Sequence, residues 1–364
     1  MGEKRKEKKK RKRWPVFLAA AGIVLLSMTA SAAAGYLILD SRGAKKLEKK
    51  QSASPDRMGE QAESFDGGEN LSAGTLRYQG KTYTYKQDIL TFLFMGVDTE
   101  GAVAALEEGQ RGGQADALFL TALDRKSGRI SLIGINRDTM TQIKRYDING
   151  LYAGEAQEQI ALAYAYGDGQ EKSCENTVEA VSKLFYGLPI HGYCAVRMDA
   201  VKVLNDAVGG VDVTIPESAA MADMEIDGAR YKTGWQTGQQ VHLMGNDAYT
   251  FIRYRDVETA ESAEARLERQ KAYLQALWTQ AKAAIRNDLT LPVTLYNKLK
   301  PYMVTDISAE EAVHLAGEII SYDFGGGNVY GLTGEVRMGE TFEEFYPDET
   351  ALYELILQIF YEQE

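Results

Sequence analysis

Arg253 and Arg255 stand two residues apart in the run Tyr249-Thr250-Phe251-Ile252-Arg253-Tyr254-Arg255. Residues two apart on a strand point to the same face, so a strand over 250–255 would set two guanidinium forks side by side. Parallel forks suit a polyvalent anion, phosphate above all, because each donates two hydrogen bonds. A polar loop follows, then a helical pattern over 263–285 that carries Arg266, Arg269 and Gln270. The competing reading is a solvated sheet face with loose ion pairs to Asp256, Glu258 and Glu261, which are common and weak.

Other polar residues stand where a sheet would present them. The apolar runs 89–95, 115–123 and 129–135 read as strands, with Asp98, Asp116, and Arg137 with Asp138 at or near their ends. Such strand ends are where α/β proteins usually place their sites. Each Asp taken singly is also explained as a turn former or a helix N-cap. Ahead of these strands, 76–86 alternates around Gln79-Gly80 as a hairpin. Helical patterns cover 157–166, 174–185 and 200–208, with strands over 191–198 and 211–216 and a polar, Gly-rich loop and hairpin over 217–238. Signals are weaker beyond 287, where helices are expected over 309–321 and 349–361. Gly325-Gly326-Gly327 is too isolated to read as a phosphate cradle.

Charge divides the chain. Residues 1–13 hold nine Lys/Arg against two Glu, or +7, and the remainder holds 32 basic against 50 acidic residues, or −18. Residues 14–39 carry no charge, long enough to cross a bilayer with some tilt. The basic cluster before them keeps the N-terminus in the cytoplasm. Ala30-Ser31-Ala32 resembles a signal-peptide cleavage site, but the uncharged run continues through Tyr36-Leu37-Ile38-Leu39, which favours an uncleaved anchor. The acidic remainder then lies outside the cytoplasmic membrane, which argues against nucleic acid as a partner. Cys174 and Cys194 match no metal or redox spacing; a disulfide between them is the minority reading.

Taken together, Phe94-Met95-Gly96-Val97-Asp98, Ala115-Asp116-Ala117-Leu118-Phe119-Leu120, Ile135-Asn136-Arg137-Asp138-Thr139, Ala163-Tyr164-Ala165-Tyr166-Gly167, Asp206 to Val211, Ala248 to Arg255 and Arg266 to Gln270 resemble, in order and spacing, the LytR–CpsA–Psr (LCP) proteins of bacterial cell envelopes. The resemblance covers about 88–277. It implies an α/β domain with a central mixed β-sheet flanked by helices, and a deep apolar groove for a polyprenyl chain. It also implies transfer of a glycopolymer, teichoic acid or capsule, from a polyprenyl-pyrophosphate carrier to peptidoglycan, with Mg2+ or another divalent cation such as Mn2+. Carried over by position, Asp98 and Asp116 would hold the metal, and Arg137, Arg253, Arg255, Arg266 and Gln270 would bind the pyrophosphate. Asp138 is a candidate general base, although orienting Arg137 through a salt bridge is its better role.

This chain departs from the family pattern at several places. Asn136 replaces a usual Pro, Ala265 a usual Gly, and Gln159-Ile160-Ala161 stands for a usual Lys-Leu-Asn. The loop after Asp98 is long and lacks the usual Ser-Arg. The expected organisation is a basic tail (1–13), a transmembrane helix (14–39), a flexible linker (40–75), a catalytic domain (76–286) and a C-terminal extension (287–364). Rival readings are a polyprenyl-phosphate-binding regulator without transfer activity and a carrier-lipid pyrophosphatase.

Overall fold

The computed structural model describes residues 35–50, 54–55, 57–65, 67–104, 106, 112–147, 149–219, 223–226, 229–254 and 262–364. Helix α1 occupies 35–50, and α2 (Met58–Glu63) leads into the meander β1 (Glu69–Ser72), β2 (Thr75–Tyr78) and β3 (Lys81–Tyr85). Gln79 and Gly80 turn the β2–β3 hairpin with φ of 49° and 76°, the left-handed pair that a two-residue hairpin needs. Strands β4 (Ile89–Val97), β5 (Ala115–Asp124) and β6 (Arg129–Ile135) form an antiparallel run, followed by the ribbon β7 (Met140–Tyr146) and β8 (Tyr152–Gln159). Helices α3 (Leu162–Ala165) and α4 (Glu171–Leu184) precede β9 (Gly192–Arg197). Next come α5 (Asp199–Ala207), β10 (Val211–Thr214), the hairpin β11 (Asp223–Ile226) and β12 (Ala229–Lys232), and β13 (Gln240–Leu243). Then follow α6 (Asn246–Arg253), α7 (Ser262–Asn287), α8 (Leu291–Leu299), β14 (Met303–Thr305), α9 (Ala309–Ile319) and β15 (Val329–Gly331). The chain closes with β16 (Gly334–Met338), β17 (Glu343–Pro347), α10 (Glu349–Phe360) and β18 (Tyr361–Gln363).

The central sheet has the order β14-β9-β4-β5-β6-β15 and is mixed, with β4 parallel to β9 and β6 parallel to β15. The expected α/β fold with a central mixed sheet is therefore present. One face is covered by α4 and the β7–β8 ribbon, where Leu93, Met95 and Val97 join Ile143, Val181 and Phe185 in the main core. The opposite face is approached by α7. A Cβ on Gly134 would meet Leu267 and Lys271 at 3.0 Å, so the glycine lets this helix lie close to the sheet.

Several expectations are corrected. Residues 250–255 are not a strand, because α6 runs through Asn246–Arg253 and packs Ala248, Tyr249, Phe251 and Ile252 into a second core with Tyr273 and Leu277 of α7. The continuous apolar run had no period to show this; burial against α7 decided it. Residues 157–166 are strand to Gln159 and helical only over α3, because β8 is held in a long ladder by β7. The linker expected over 40–75 contains the end of α1, α2 and β1. Leu47 is fully buried against the core that includes Leu90, Phe92 and Leu315, and Lys46 and Lys50 pair with Glu310 at 3.2 Å and Glu311 at 3.2 Å. Residues 287–364 are not an appendage, since β14 and β15 form both edges of the central sheet and α10 lies in the main core. The transmembrane span expected over 14–39 falls almost wholly outside the described residues, among which no helix is long and apolar enough to cross a membrane. Both cysteines are free.

Candidate active site

The expected strand ends converge at one edge of the central sheet. Strands β4 and β6 end there and β5 begins there, so Asp98, Asp116, Arg137 and Asp138 become neighbours. The register of β4 and β5 shifts at that edge, with Gly96 opposite Ala117 but Val97 opposite Ala115. Asp116 is the residue left over, a β-bulge, and a bulge re-aims its side chain.

Asp116 is buried and serves two arginines. Its Oδ1 accepts from Arg137, and its Oδ2 accepts from Nη1 of Arg266 at 3.2 Å. Arg266 also donates to the Asp116 carbonyl at 3.4 Å. The other fork nitrogen of Arg137 donates to the Gln114 side chain, and its Nε lies 3.4 Å from Asp138. Asp138 accepts from Gln159 at 3.0 Å, so its geometry suits orienting Arg137. Asn136 closes this turn itself: its Oδ1 accepts the Asp138 N–H at 3.0 Å and its carbonyl accepts the Thr139 hydroxyl at 2.6 Å. The first of these bonds is an Asx turn.

Asp98 accepts the Gln114 N–H at 2.6 Å. A Cβ on Gly113, whose φ is +80°, would lie 2.6 Å from the Asp98 carboxylate, so the loop closes over it with no room for a side chain. Burial pushes the Asp98 pKa up and the charge of Asp116 adds to this, opposed by the Gln114 hydrogen bond and the charges of Arg137 and Arg253. Two hard carboxylates that repel each other suit a divalent cation. Among the described residues no group of three or more His, Cys, Asp or Glu is placed to hold a metal, so such an ion would complete its shell with waters and phosphate oxygens, as Mg2+ commonly does.

Arg253, at the last position of α6, is part of this electrostatic group. Arg255 lies outside the described residues. Gln270 is one turn beyond Arg266 on α7, but its amide donates to the Ile252 carbonyl at 3.3 Å, which ties α7 to the end of α6. Arg269 does the same more strongly and has no place among the expected site residues. It is 2% exposed and donates to the carbonyls of Phe251 at 3.1 Å, Ala265 at 3.3 Å and Tyr254. Burial, with the nearby Arg266 charge, brings its pKa down to about 10. Through Phe251 and Tyr254, Arg269 satisfies carbonyls that the end of α6 leaves open and ties that end to α7.

An apolar hollow adjoins the charged edge. On the face toward α7, Cys194, Phe94, Phe119 and Gly134 are in register across β9, β4, β5 and β6, and Val196, Gly96 and Ala117 form the next row toward the site. Phe94 has paired strands on both sides and is still 42% exposed; Cys194, Val196, Gly96 and Ala117 are half-buried. A central strand is exposed like this only where open space lies above it. That space starts beside Asp98 and Asp116.

The LytR_cpsA_psr family model matches residues 43–325. Among curated proteins, the chain is 30% identical over 192 residues to the polyisoprenyl-teichoic acid–peptidoglycan teichoic acid transferase TagU of Bacillus cereus, covering 53% of this chain and 52% of TagU. It is 29% identical over 222 residues to TagV of Bacillus subtilis, named as the same kind of transferase, covering 61% and 51%. The chain thus spans about half the length of the curated relatives it matches. The crystal structure of B. subtilis TagV superposes with a TM-score of 0.57 and 27% identity over 75% of this chain and 97% of that one.

Proposed function

The chain belongs to the LytR_cpsA_psr family, and from this we propose that it is a membrane-anchored phosphotransferase that moves a glycopolymer from a polyprenyl-pyrophosphate carrier to peptidoglycan. The names of TagU and TagV, which give a polyisoprenyl-linked teichoic acid as donor and peptidoglycan as acceptor, support this reading. The observation that carries it is the guanidinium cluster of Arg137, Arg266 and Arg253 beside an apolar hollow. A charged pyrophosphate head and an apolar polyprenyl tail need those two environments in contact.

In the transfer, an acceptor hydroxyl attacks the phosphorus next to the glycan. The bond to the polyprenyl phosphate breaks, the hydroxyl proton passes to the departing phosphate, and polyprenyl monophosphate leaves toward the hollow. Such chemistry asks chiefly for positioning and charge neutralisation. Arg137 is held rigid by Asp116, Gln114 and Asp138, so its guanidinium charge is positioned for a phosphate without reorganisation. Arg266 approaches from the other oxygen of Asp116, Arg253 adds its charge beside Asp98, and Arg255 joins them in this proposal. Mg2+ or Mn2+ held by Asp98 and Asp116 would neutralise further charge on the phosphate oxygens. The span over 14–39 would anchor the protein with its N-terminus inside and this site outside. Exposed Leu37 and Ile38, at the start of α1, are apolar surface that a bilayer would cover.

The test uses the full chain in detergent micelles with a polyprenyl-pyrophosphate glycan, Mg2+ and peptidoglycan oligomers, and mass spectrometry of the products. The expected product is glycan joined to peptidoglycan through a phosphodiester, reduced about 100-fold or more in Asp98→Ala. Free glycan phosphate without transfer would make the chain a carrier-lipid pyrophosphatase. Bound but unreacted lipid, indifferent to Mg2+ and to the substitution, would make it a lipid-binding regulator.

A further inference from the structure

The hairpin β16–β17 lies beyond residues 43–325, the span of the family match, and it is built into the site. The Phe345 N–H donates to the Asp138 carbonyl at 2.9 Å, and Thr139 bridges Phe345 in parallel. Gln159 donates to Asp138 Oδ1 at 3.0 Å and to the Glu343 carbonyl at 2.8 Å, so one amide holds both the side chain that orients Arg137 and the hairpin. The contacts run in order from α7 through Arg266, Asp116, Arg137 and Asp138 to the hairpin. The hairpin therefore borders the site on the side away from α7 and the apolar hollow.

Its surface is unusual for a solvent-exposed ribbon. Gly334, Val336 and Met338 oppose Pro347, Phe345 and Glu343, so they share the face that buries Phe345 against the site loop. Along that face Val336 is 39% and Met338 74% exposed, and Phe342 at the tip is 67% exposed. These three side chains give an otherwise polar ribbon an exposed apolar strip. The charge of the hairpin is acidic: Glu335, Glu340, Glu343 and Glu344 against Arg337. Arg337 is itself committed, bound to Glu335 at 2.7 Å and stacked 4.7 Å from the Tyr346 ring.

These features choose among occupants. A phosphate-rich polymer or an anionic lipid surface would be repelled by the glutamates. A polyprenyl chain needs an enclosure that excludes water, and a ribbon open to solvent provides none. A neutral saccharide fits, because its C–H faces pack on an exposed aromatic ring and its hydroxyls donate to carboxylates. We propose that the β16–β17 hairpin is the acceptor subsite of this enzyme, taking uncharged sugar units of a long glycan strand, with Phe342 and Met338 as the contact residues. This rests on the transferase reading above for the word acceptor, though not for the binding.

Two measurements on the full chain in micelles separate the claims. First, a neutral β-1,4-linked N-acetylglucosamine tetramer is titrated by calorimetry into wild type, Phe342→Ala and Met338→Ala. Both side chains are exposed, so the variants should melt with wild type. The expected result is saccharide binding weakened about tenfold in Phe342→Ala, on the scale of one lost aromatic contact, with binding of farnesyl pyrophosphate unchanged. Second, in the transfer assay, Phe342→Ala should raise the KM for peptidoglycan oligomers with kcat and the KM for the carrier little changed. Saccharide binding that ignores Phe342, or a hairpin that binds neutral phospholipid vesicles instead, overturns the proposal even if transfer is observed. Saccharide binding that depends on Phe342 in a chain that transfers nothing upholds the subsite and overturns the transferase reading.

Discussion

Replacing Asp116 by Asn keeps the shape of the site and removes the charge between two arginines. Side-chain exposure is 7% for Asp116, 7% for Arg266 and 17% for Arg137, so all three are largely dry. Removing one partner of a buried pair costs about 3–5 kcal/mol, because the remaining charge is left uncompensated. The Asn oxygen can still accept from one guanidinium, a bond to a charged group that retains about 1.5 kcal/mol. The net expectation is a loss of about 2–3 kcal/mol, which for a chain of this size lowers the Tm by about 3–4 °C. Differential scanning fluorimetry on the full chain in micelles measures it, and a second scan adds inorganic pyrophosphate. The anion supplies the missing countercharge, so the variant should gain more from it than wild type does. A variant that melts within about 1 °C of wild type would refute the clamp, since such a shift is worth no more than an exposed surface pair. Equal gains from pyrophosphate in both proteins would place the anion away from these arginines.

Two further predictions concern stability. His191 is buried with Nδ1 accepting the Thr91 N–H at 3.0 Å, and burial, then the charge of Lys50, brings its pKa down to about 4. Because the folded value lies below the unfolded one, the unfolded chain binds more protons between about pH 6.5 and 4, and stability falls as pH drops through that window, by up to about 3 kcal/mol. Urea titrations across that range should show the slope in wild type and a flatter line in His191→Gln; parallel lines would contradict it. Leu47→Ala should cost about 2–5 kcal/mol by leaving a cavity under α1, whereas a loss below about 0.5 kcal/mol would restore the flexible linker.

Much of the framework was legible in the chain. The apolar runs of β4, β5 and β6 are long and bounded by turn residues, and the Gln79-Gly80 turn is a strong local signal. The acidic and basic residues at their ends are legible too, because a sheet edge is a foreseeable place for them. The spacing of Arg253 and Arg255 does not determine a strand, since Tyr-Thr-Phe-Ile is apolar without a period and serves a helix as well. Strands β14, β15 and β18 are three residues each, too short to carry a pattern, so residues 287–364 looked detached. Arg269 carries no signal in the sequence that separates it from its neighbours, and its burial and its carbonyl partners make it the anchor of the α6–α7 connection.

By itself, the sequence determined which residues carry charge, which runs can be strands and which order they follow, because those depend on side-chain chemistry and local periodicity. Tertiary structure decided what those residues face. The bulge that turns Asp116 toward two arginines, the hollow above Phe94 and the hairpin joined to Asp138 through Gln159 each bring together segments distant in the chain, and contacts of that kind are set by packing between elements, which no local pattern records.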